Sequence, residues 1–146
     1  MNKYEKIKLE NQICFPLYAL SREVIKLYKP LLDKFNLTYT QYITMLVIWE
    51  EEKILFKELG QRLHLDSGTL TPVVKKLESM GLIIKYRNKE DDRIVTIELT
   101  EKGRLLKDDV IEVPENLYCK FKGKDEETLL TLKKVLDQLL LSLIHI

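Results

Sequence analysis

Apolar residues recur at helical spacing near both ends of the chain. In the first stretch the intervals alternate between three and four residues, through Leu17, Leu20, Val24, Leu27 and Leu31. The second stretch repeats this spacing through Leu129, Leu132, Leu136, Leu139 and Leu143. Each stripe predicts a long amphipathic helix that needs a partner to cover it. Two such stripes favour an intertwined homodimer; the alternative is that they pack on each other within one monomer.

The middle of the chain predicts three shorter helices. Thr40 is the expected N-cap of the first, which runs to Trp49, a residue expected in the core. One face of the second carries Phe56, Leu59 and Leu63. The third places apolar side chains inward, at Leu70, Val73, Val74, Leu77 and Met80. Gly81 is expected to end the third helix. Because Pro72 fits only a first turn, the N-cap of this helix stays open among Ser67, Thr69 and Thr71.

Two strand-like runs follow the third helix. Ile83 to Tyr86 form the first, and residues 95–99 alternate with period two. The charged residues from Asn88 to Arg93 separate them as a loop. Thr100 is expected to cap the next helix, which Pro114 should limit.

This order of elements predicts a mainly α fold with a small β-hairpin wing, a winged helix-turn-helix. We expect a single domain over residues 1–146. Residues 36–103 would form its DNA-binding region. Residues 1–35 and 104–146 would supply the dimerisation helices.

Composition fits one globular domain with a packed core. The 146 residues are 45% hydrophobic and 32% charged, with a net charge of +1. Apolar runs stay shorter than the roughly 18 residues that span a bilayer, and the N-terminus does not resemble a signal peptide. We therefore expect a cytoplasmic protein without membrane contact. Between Lys53 and Arg104 the basic excess is slight, 11 Lys or Arg against 8 Asp or Glu, so binding to nucleic acid must rest on individually placed side chains.

The predicted third helix and wing carry side chains suited to DNA. Short hydroxyls reach phosphates or base edges, and lysines neutralise phosphates. An arginine at a loop tip suits the minor groove or a phosphate, and a neighbouring aspartate can orient it or structure the loop. The candidates are Ser67, Thr69, Thr71, Lys75, Lys76, Arg93 and, in the orienting role, Asp91. The lysines alone would also fit a solvated helix face. The wing that follows favours double-stranded DNA as the partner.

The two cysteines, Cys14 and Cys119, lie 105 residues apart. This spacing gives neither a disulfide framework nor a zinc motif, so we expect no metal and no cofactor. A cysteine in an apolar helix is usually inert packing. Cys14, however, is accompanied by tyrosines, whose hydroxyls stabilise a thiolate by donating to it. Tyr28 follows 14 residues later, about 21 Å along a continuous helix, so the two would meet only across a dimer.

The motifs of the predicted DNA-binding region resemble those of the MarR family of winged-helix transcription regulators. The resemblance rests on Gln61 to Gly81, on Asp91-Asp92-Arg93 and on Leu99-Thr100-Glu101-Lys102-Gly103, and it extends over nearly the whole chain. It implies a homodimeric transcriptional repressor that binds a palindromic operator and is not an enzyme.

Around Cys14 the chain is similar, within that family, to the organic hydroperoxide resistance regulators. This resemblance implies that Cys14 is a redox sensor oxidised by an organic hydroperoxide to a sulfenic acid. It implies that Tyr28 and Tyr39 bond to the sensor from the other subunit, with Tyr18 nearby. Cys119 stands where a resolving thiol for an intersubunit disulfide is expected, whereas other members use a small external thiol. Oxidation would then release the DNA.

Pro16 departs from the alanine expected at its position. Either it removes a helical hydrogen bond and bends the helix, or the helix starts later and Cys14 lies near its N-terminus, which also favours a thiolate.

Two other functions remain open from the sequence. The repressor could respond to a small phenolic or amphipathic ligand without cysteine oxidation. Such a ligand would bind between the dimerisation helices and the DNA-binding region. The chain could also be a thiol peroxidase, although the basic helix and wing would then have no purpose. Release of DNA by hydroperoxide in a Cys14→Ser variant would separate the ligand account from the redox account.

Overall fold

The computed structural model describes residues 2–121, 123 and 125–144. The α-helices in this part of the chain are α1 (Cys14–Asp33), α2 (Tyr39–Glu51), α3 (Phe56–Leu63), α4 (Ser67–Ser79), α5 (Glu101–Val110), α6 (Glu112–Tyr118) and α7 (Glu126–Ile144). The strands are β1 (Lys53–Leu55), β2 (Ile83–Arg87) and β3 (Val95–Leu99). Two 3₁₀ turns, Lys3–Ile7 and Leu9–Asn11, precede α1. Of the helices in these ranges, none is long and apolar enough to cross a membrane.

Helices α2 to α4 and the sheet form the predicted winged helix-turn-helix. The sheet is antiparallel with the order β1-β3-β2. Strands β2 and β3 pair from Ile83 opposite Leu99 to Arg87 opposite Val95, and the loop beyond them is the wing. The sequence does not predict β1, because a three-residue strand shows only one alternation and buries Ile54 alone.

Helix α2 starts two residues earlier than expected. Its N-cap is Thr38 and not Thr40: the Thr38 hydroxyl accepts from the Gln41 N–H at 3.2 Å. The Gln41 side chain accepts in return from the Thr38 N–H at 3.0 Å, completing a capping box. Thr40 has Ile43 at the corresponding position, which cannot make the return bond.

The prolines also sit differently from the expectation. Pro72 lies in the second turn of α4, because the N-cap is Asp66 and not Ser67, Thr69 or Thr71. Pro114 lies in the first turn of α6 and so stands near the start of a helix, where its missing N–H costs nothing. Thr100 caps α5 as predicted, accepting from the Gly103 N–H at 3.0 Å.

The core lies between α2, α4 and the sheet. Its fully buried side chains include Met45, Ile48, Leu70, Leu77 and Ile97. Trp49 is buried beside them, as expected, and its indole N–H donates to the Gly103 carbonyl at 2.8 Å. This bond ties α2 to the beginning of α5.

The terminal stripes remain largely uncovered within one chain. Among the described residues, α7 contains no buried side chain, and α1 buries only Leu32. Leu20 is 47% exposed and Leu139 is 41% exposed. The two stripes therefore do not bury each other inside the monomer.

Gly103→Ala is expected to lower the free energy of unfolding by about 1–3 kcal/mol, as overpacking does. A Cβ on Gly103 would overlap the Leu82 carbonyl oxygen and would approach Leu99 Cδ1 to 2.7 Å. Urea and thermal unfolding measure the loss. The matched control is Gly68→Ala, where the nearest atom to the new Cβ is Asp66 Oδ1 at 3.4 Å. An equal loss in both variants would contradict the steric argument.

Candidate DNA interface and thiol site

Helix α4 has one buried side and one exposed side. Leu70, Val74 and Leu77 are 0% exposed and anchor it to the core. The five predicted contact residues all lie on the exposed side: Ser67, Thr69, Thr71, Lys75 and Lys76. The structure thus brings these hydroxyls and ammonium groups onto the solvent-facing surface of a single helix.

The start of α4 is capped by a carboxylate. Asp66 Oδ1 accepts from the Thr69 N–H at 2.8 Å, and this bond lowers the pKa of Asp66. The Thr71 hydroxyl donates to the Ser67 carbonyl at 2.6 Å, so its oxygen remains available as an acceptor. The Asp66 carboxylate therefore occupies N–H groups of the first turn, and the side chains that this end of α4 presents to solvent are the hydroxyls of Ser67, Thr69 and Thr71.

The other end of α4 is fastened to α5. Gly81 follows the helix with φ +78°, in the left-handed region, as expected for a C′ residue. The Lys102 ammonium donates to the Met80 carbonyl at 2.8 Å, and the Thr100 hydroxyl donates to the Gly81 carbonyl at 2.6 Å. These bonds fix the orientation of α4 relative to α5.

In the wing, Asp91 and Arg93 form a two-pronged ion pair. Arg93 Nε lies 3.0 Å from Asp91 Oδ1, and its Nη2 lies 3.0 Å from Oδ2. The Arg93 side chain is 87% exposed, so the pair holds the guanidinium outward rather than burying it. The pair lowers the pKa of Asp91, whose carboxylate also accepts from the Arg93 N–H. Asp91 thus bonds to both the side chain and the backbone of Arg93, and these contacts are compatible with either predicted role, orienting Arg93 or structuring the loop.

Two further wing residues were missed by the sequence reasoning. The Asn88 side-chain oxygen accepts from the N–H groups of Glu90 and Asp91, at 2.8 and 3.1 Å. Arg87 donates to the Asp92 carbonyl at 2.7 Å. An asparagine at the start of a polar hairpin loop is a signal for such a turn, whereas nothing in the sequence singles out Arg87.

Cys14 is the first residue of α1, and it is exposed. Pro16 is therefore the third residue of the helix. Its missing N–H is one of the first four, which have no partner inside a helix, so no bond is lost. Of the two alternatives for Pro16, the structure shows the later helix start, which places Cys14 at the N-terminal end of α1.

Tyr18 lies one helical turn after Cys14 on the same side of α1. It is 62% exposed, and the Arg22 guanidinium lies 5.6 Å from its ring centroid. The sequence predicted that Tyr18 lies near Cys14, and their four-residue separation on α1 is consistent with that prediction.

Tyr28 and Tyr39 come together at the far end of α1. Their ring centroids lie 4.8 Å apart, with Tyr28 on α1 and Tyr39 at the start of α2. A third ring, Tyr42, lies 5.7 Å from Tyr28 and was not predicted. Its signal was the three-residue spacing from Tyr39, which places both on one helix face.

The phenols of this cluster are held neutral. Burial raises the pKa of Tyr28, and the neighbouring hydroxyls of Tyr39, Tyr42 and Tyr118 raise it further. Burial also raises the pKa of Tyr39. Both hydroxyl groups therefore keep their protons and remain hydrogen-bond donors over a wide pH range.

Cys14 and the cluster lie at opposite ends of α1. The helix is continuous from Cys14 to Asp33. The 14 residues between Cys14 and Tyr28 correspond to about 21 Å along its axis. Within one chain, the thiol and the phenols cannot touch.

Cys119 directly follows Tyr118, a residue that acts on the tyrosine cluster of its own chain. Helix α6 runs antiparallel to α1: Lys34 pairs with Glu112 at 3.2 Å at one end, and Tyr118 acts on the pKa of Tyr28 at the other. Cys119 directly follows Tyr118 and is exposed, with its Sγ 3.7 Å from the Glu115 carbonyl oxygen. In the described part of the chain, no cluster of three acidic, histidine or cysteine side chains could hold a metal.

Comparison with known proteins agrees with this geometry. The family described as "Transcriptional regulator SarA/Rot" matches residues 26–110. The organic hydroperoxide resistance transcriptional regulator of Bacillus subtilis is 50% identical over 139 residues, which make up 95% of this chain and 94% of that protein.

Solved structures of AbfR, a protein of Staphylococcus epidermidis, share the fold. Reduced AbfR bound to DNA is 34% identical, with a TM-score of 0.79 over 98% of this chain and 96% of that one. The disulfide form of AbfR is also 34% identical, with a TM-score of 0.64 over 98% and 94%. These relatives are named as transcriptional regulators or are seen bound to DNA. The chain belongs to the MarR family of winged-helix, DNA-binding transcriptional regulators, in the group of the organic hydroperoxide resistance regulators.

Proposed function

We propose that this chain is a homodimeric repressor that leaves its operator when an organic hydroperoxide oxidises Cys14. One observation carries the proposal: continuous α1 separates Cys14 by about 21 Å from the phenols of Tyr28 and Tyr39. Only a second subunit, with its α1 antiparallel, brings the Tyr28 and Tyr39 hydroxyls to the thiol. The relative from Bacillus subtilis is named for organic hydroperoxide resistance, which supports this signal.

The uncovered helices supply the dimer interface. Residues 1–35 and 104–146 carry the apolar stripes, and most of the stripe side chains remain exposed in one chain. Burying them against a second copy is favoured by the hydrophobic effect. The same contact places the Cys14 end of each α1 beside the tyrosine end of the other.

The sensing chemistry needs a thiolate and a hydroperoxide. The Cys14 thiolate attacks the outer oxygen of the ROOH group, an S–O bond forms, and the O–O bond breaks. The alkoxide takes up a proton and leaves as an alcohol, and Cys14 becomes a sulfenic acid. The two-electron oxidation of sulfur balances the reduction of the peroxide. Phenolic donors from Tyr28 and Tyr39 stabilise the thiolate before the attack.

Cys119 is the proposed resolving thiol. It directly follows Tyr118, which acts on the pKa of Tyr28, so the proposed contact of Tyr28 with the partner subunit's Cys14 would bring the two thiols into the same region of the dimer. Condensation of the Cys119 thiol with the sulfenic acid forms an intersubunit disulfide and releases water. A disulfide form of the related AbfR supports this step for the present chain.

On the DNA, α4 is the proposed major-groove helix, and Arg93 of the wing reaches a phosphate or the minor groove. Lys75 and Lys76 neutralise phosphates, while Ser67, Thr69 and Thr71 position the helix start. The two DNA-binding regions of a dimer would match operator half-sites that lie about one turn of the DNA helix, roughly 34 Å, apart. A disulfide that rearranges the dimer changes this spacing and weakens binding.

A second candidate signal is a small amphipathic ligand, and a cleft between α4 and α5 favours it. The cleft holds about 660 Å³, a volume that suits a small organic ligand. Lys76 and Lys102 reach into it beside apolar side chains such as Met80 and Leu105. A phenolic acid would match this lining, and it would act without any oxidation of Cys14.

Lys75→Ala and Arg93→Ala are each expected to weaken operator binding roughly three- to tenfold. Each should also reduce the slope of log affinity against log salt by about 1, because each removes one phosphate contact. Fluorescence anisotropy at several salt concentrations measures both quantities. Lys107→Ala removes the same charge from the exposed surface of α5 and serves as control. If all three variants lose affinity equally, the assigned DNA face is wrong.

Oxidation of the wild-type protein with one equivalent of cumene hydroperoxide is expected to give a covalent dimer and to release the operator. Cys14→Ser should form no such dimer and should stay on the DNA, because the attacking sulfur is gone. Cys119→Ser should stop at a monomer carrying one added oxygen. Intact mass spectrometry without reductant separates these species.

Two outcomes would refute parts of this scheme. Release of the Cys14→Ser variant by hydroperoxide at the wild-type dose would overturn redox sensing and favour the ligand account. Full release of Cys119→Ser in the absence of any small thiol would remove Cys119 from the mechanism.

The free energy of unfolding is expected to fall above pH about 10, and Tyr28→Phe should reduce this fall. The folded-state pKa of Tyr28 is raised, so its stabilising effect is present below the unfolded pKa of about 10 and is lost as pH rises. One phenol contributes at most about 1.4 kcal/mol per pH unit. Urea unfolding from pH 9 to 11 measures the slope. Tyr4→Phe, at an exposed tyrosine outside the cluster, should keep the wild-type slope; identical slopes in all three proteins would refute the argument.

A further inference from the structure

Tyr42 is the most buried member of the tyrosine cluster. It is 3% exposed, and its ring centroid lies 5.7 Å from Tyr28 and 6.4 Å from Tyr39. The three rings are tilted by 44–55° against one another. Tyr42 is one turn beyond Tyr39 on α2, whereas Tyr28 reaches it from α1. It therefore contacts both predicted sensor phenols, although they come from different helices.

Tyr42 also lines a groove of about 300 Å³ together with Leu46, Trp49 and Ile111, although only 3% of its surface is exposed. Tyr28 and Tyr39 do not line this groove, so the Tyr42 side chain separates them from it. Without the ring, Tyr28 and Tyr39 would have room to rotate toward the groove, and water would reach their buried sides.

The orientation of a hydrogen-bond donor decides how well it stabilises a charge. A donor must be held close to its productive position, and packing by neighbouring side chains achieves this. Aromatic rings in tilted contact restrict one another. Tyr28 and Tyr39 are partly buried, and the buried ring of Tyr42 contacts both of them and so restrains them from the side of the core.

We propose that Tyr42 is a positioning residue for the thiol sensor: its ring holds Tyr28 and Tyr39 in the orientation that lets their hydroxyls meet the partner subunit's Cys14. This role rests on the proposed function, because it requires the two phenols to serve the sensor. It depends on the ring of Tyr42 and not on its hydroxyl.

Ring removal and hydroxyl removal separate this role from general packing. Tyr42→Leu is expected to slow oxidation by cumene hydroperoxide about tenfold. It should also move the pH of half-maximal oxidation rate upward, because misaligned phenols stabilise the thiolate less. Tyr42→Phe keeps the ring and should oxidise within twofold of the wild-type rate. Both reduced variants should bind the operator as the wild type does, since α4 and the wing are untouched.

A matched control tests whether lost stability alone slows oxidation. Ile54→Ala truncates a buried side chain on β1, away from the cluster, and is expected to lower Tm without changing the oxidation rate. If Tyr42→Leu does not fold, Tyr42→Met, which fills more of the volume without a ring, replaces it. The same slower oxidation and upward pH shift are expected of Tyr42→Met. Stopped-flow measurement of thiol loss over pH 5–9 gives rate and pH profile together.

The Tyr28→Phe and Tyr39→Phe variants distinguish failure of the positioning role of Tyr42 from failure of the proposed thiol sensor. If both slow oxidation while the ring-deleted Tyr42 variant keeps the wild-type rate and pH profile, the positioning role is overturned and the sensor stands. If both oxidise at the wild-type rate, the phenols do not serve the sensor, and the positioning role falls with the proposed function. The positioning role would also be overturned if Tyr42→Leu oxidised more slowly with an unchanged pH profile and Ile54→Ala showed the same slowing.

Discussion

The length of α1 is the constraint on which the thiol site depends. A continuous helix from Cys14 to Asp33 acts as a rigid spacer, because each residue advances the chain by about 1.5 Å. The thiol and the tyrosine cluster are thus kept at its two ends. The same helix carries one of the uncovered apolar stripes. In the proposed dimer, covering the stripe and assembling the sensor are therefore one event, and anything that disturbs one disturbs the other.

The start of α5 joins this helix to the winged helix-turn-helix. Within four residues, Thr100 bonds to the Gly81 carbonyl, Lys102 to the Met80 carbonyl, and the Gly103 carbonyl to the Trp49 indole. Gly103 itself sits so close to Leu82 that a side chain has no room. Because α4 is fixed to α5 by short hydrogen bonds, a shift of α5 would move α4 with it. In a dimer, such a shift would change the distance between the two copies of α4.

The sequence predicts most of this fold because its strongest signals are local. The stripes of α1 and α7, the alternation in β3 and the cap at Thr100 all depend on near neighbours. The misplaced start of α2 was also local: the Gln41 side chain, which completes the capping box with Thr38, was overlooked. Strand β1 and Tyr42 are different, because pairing with β3 and packing across to α1 join distant parts of the chain. The candidate thiol site was predicted from its residue types and from the resemblance to the organic hydroperoxide resistance regulators, since its two halves lie at opposite ends of one helix.

In the proposed dimer, phenols rather than cations would be the partners of the thiol, and this has an electrostatic reason. A lysine or arginine would stabilise a thiolate more strongly, but oxidation to a sulfenic acid or a disulfide removes the negative charge. A cation would then be left unpaired in a half-buried interface, at a cost of several kcal/mol. Tyr28 and Tyr39 are neutral, and burial raises the pKa of each, so they carry no charge before or after oxidation. Such a site tolerates both states of the sulfur, which is what a reversible switch requires.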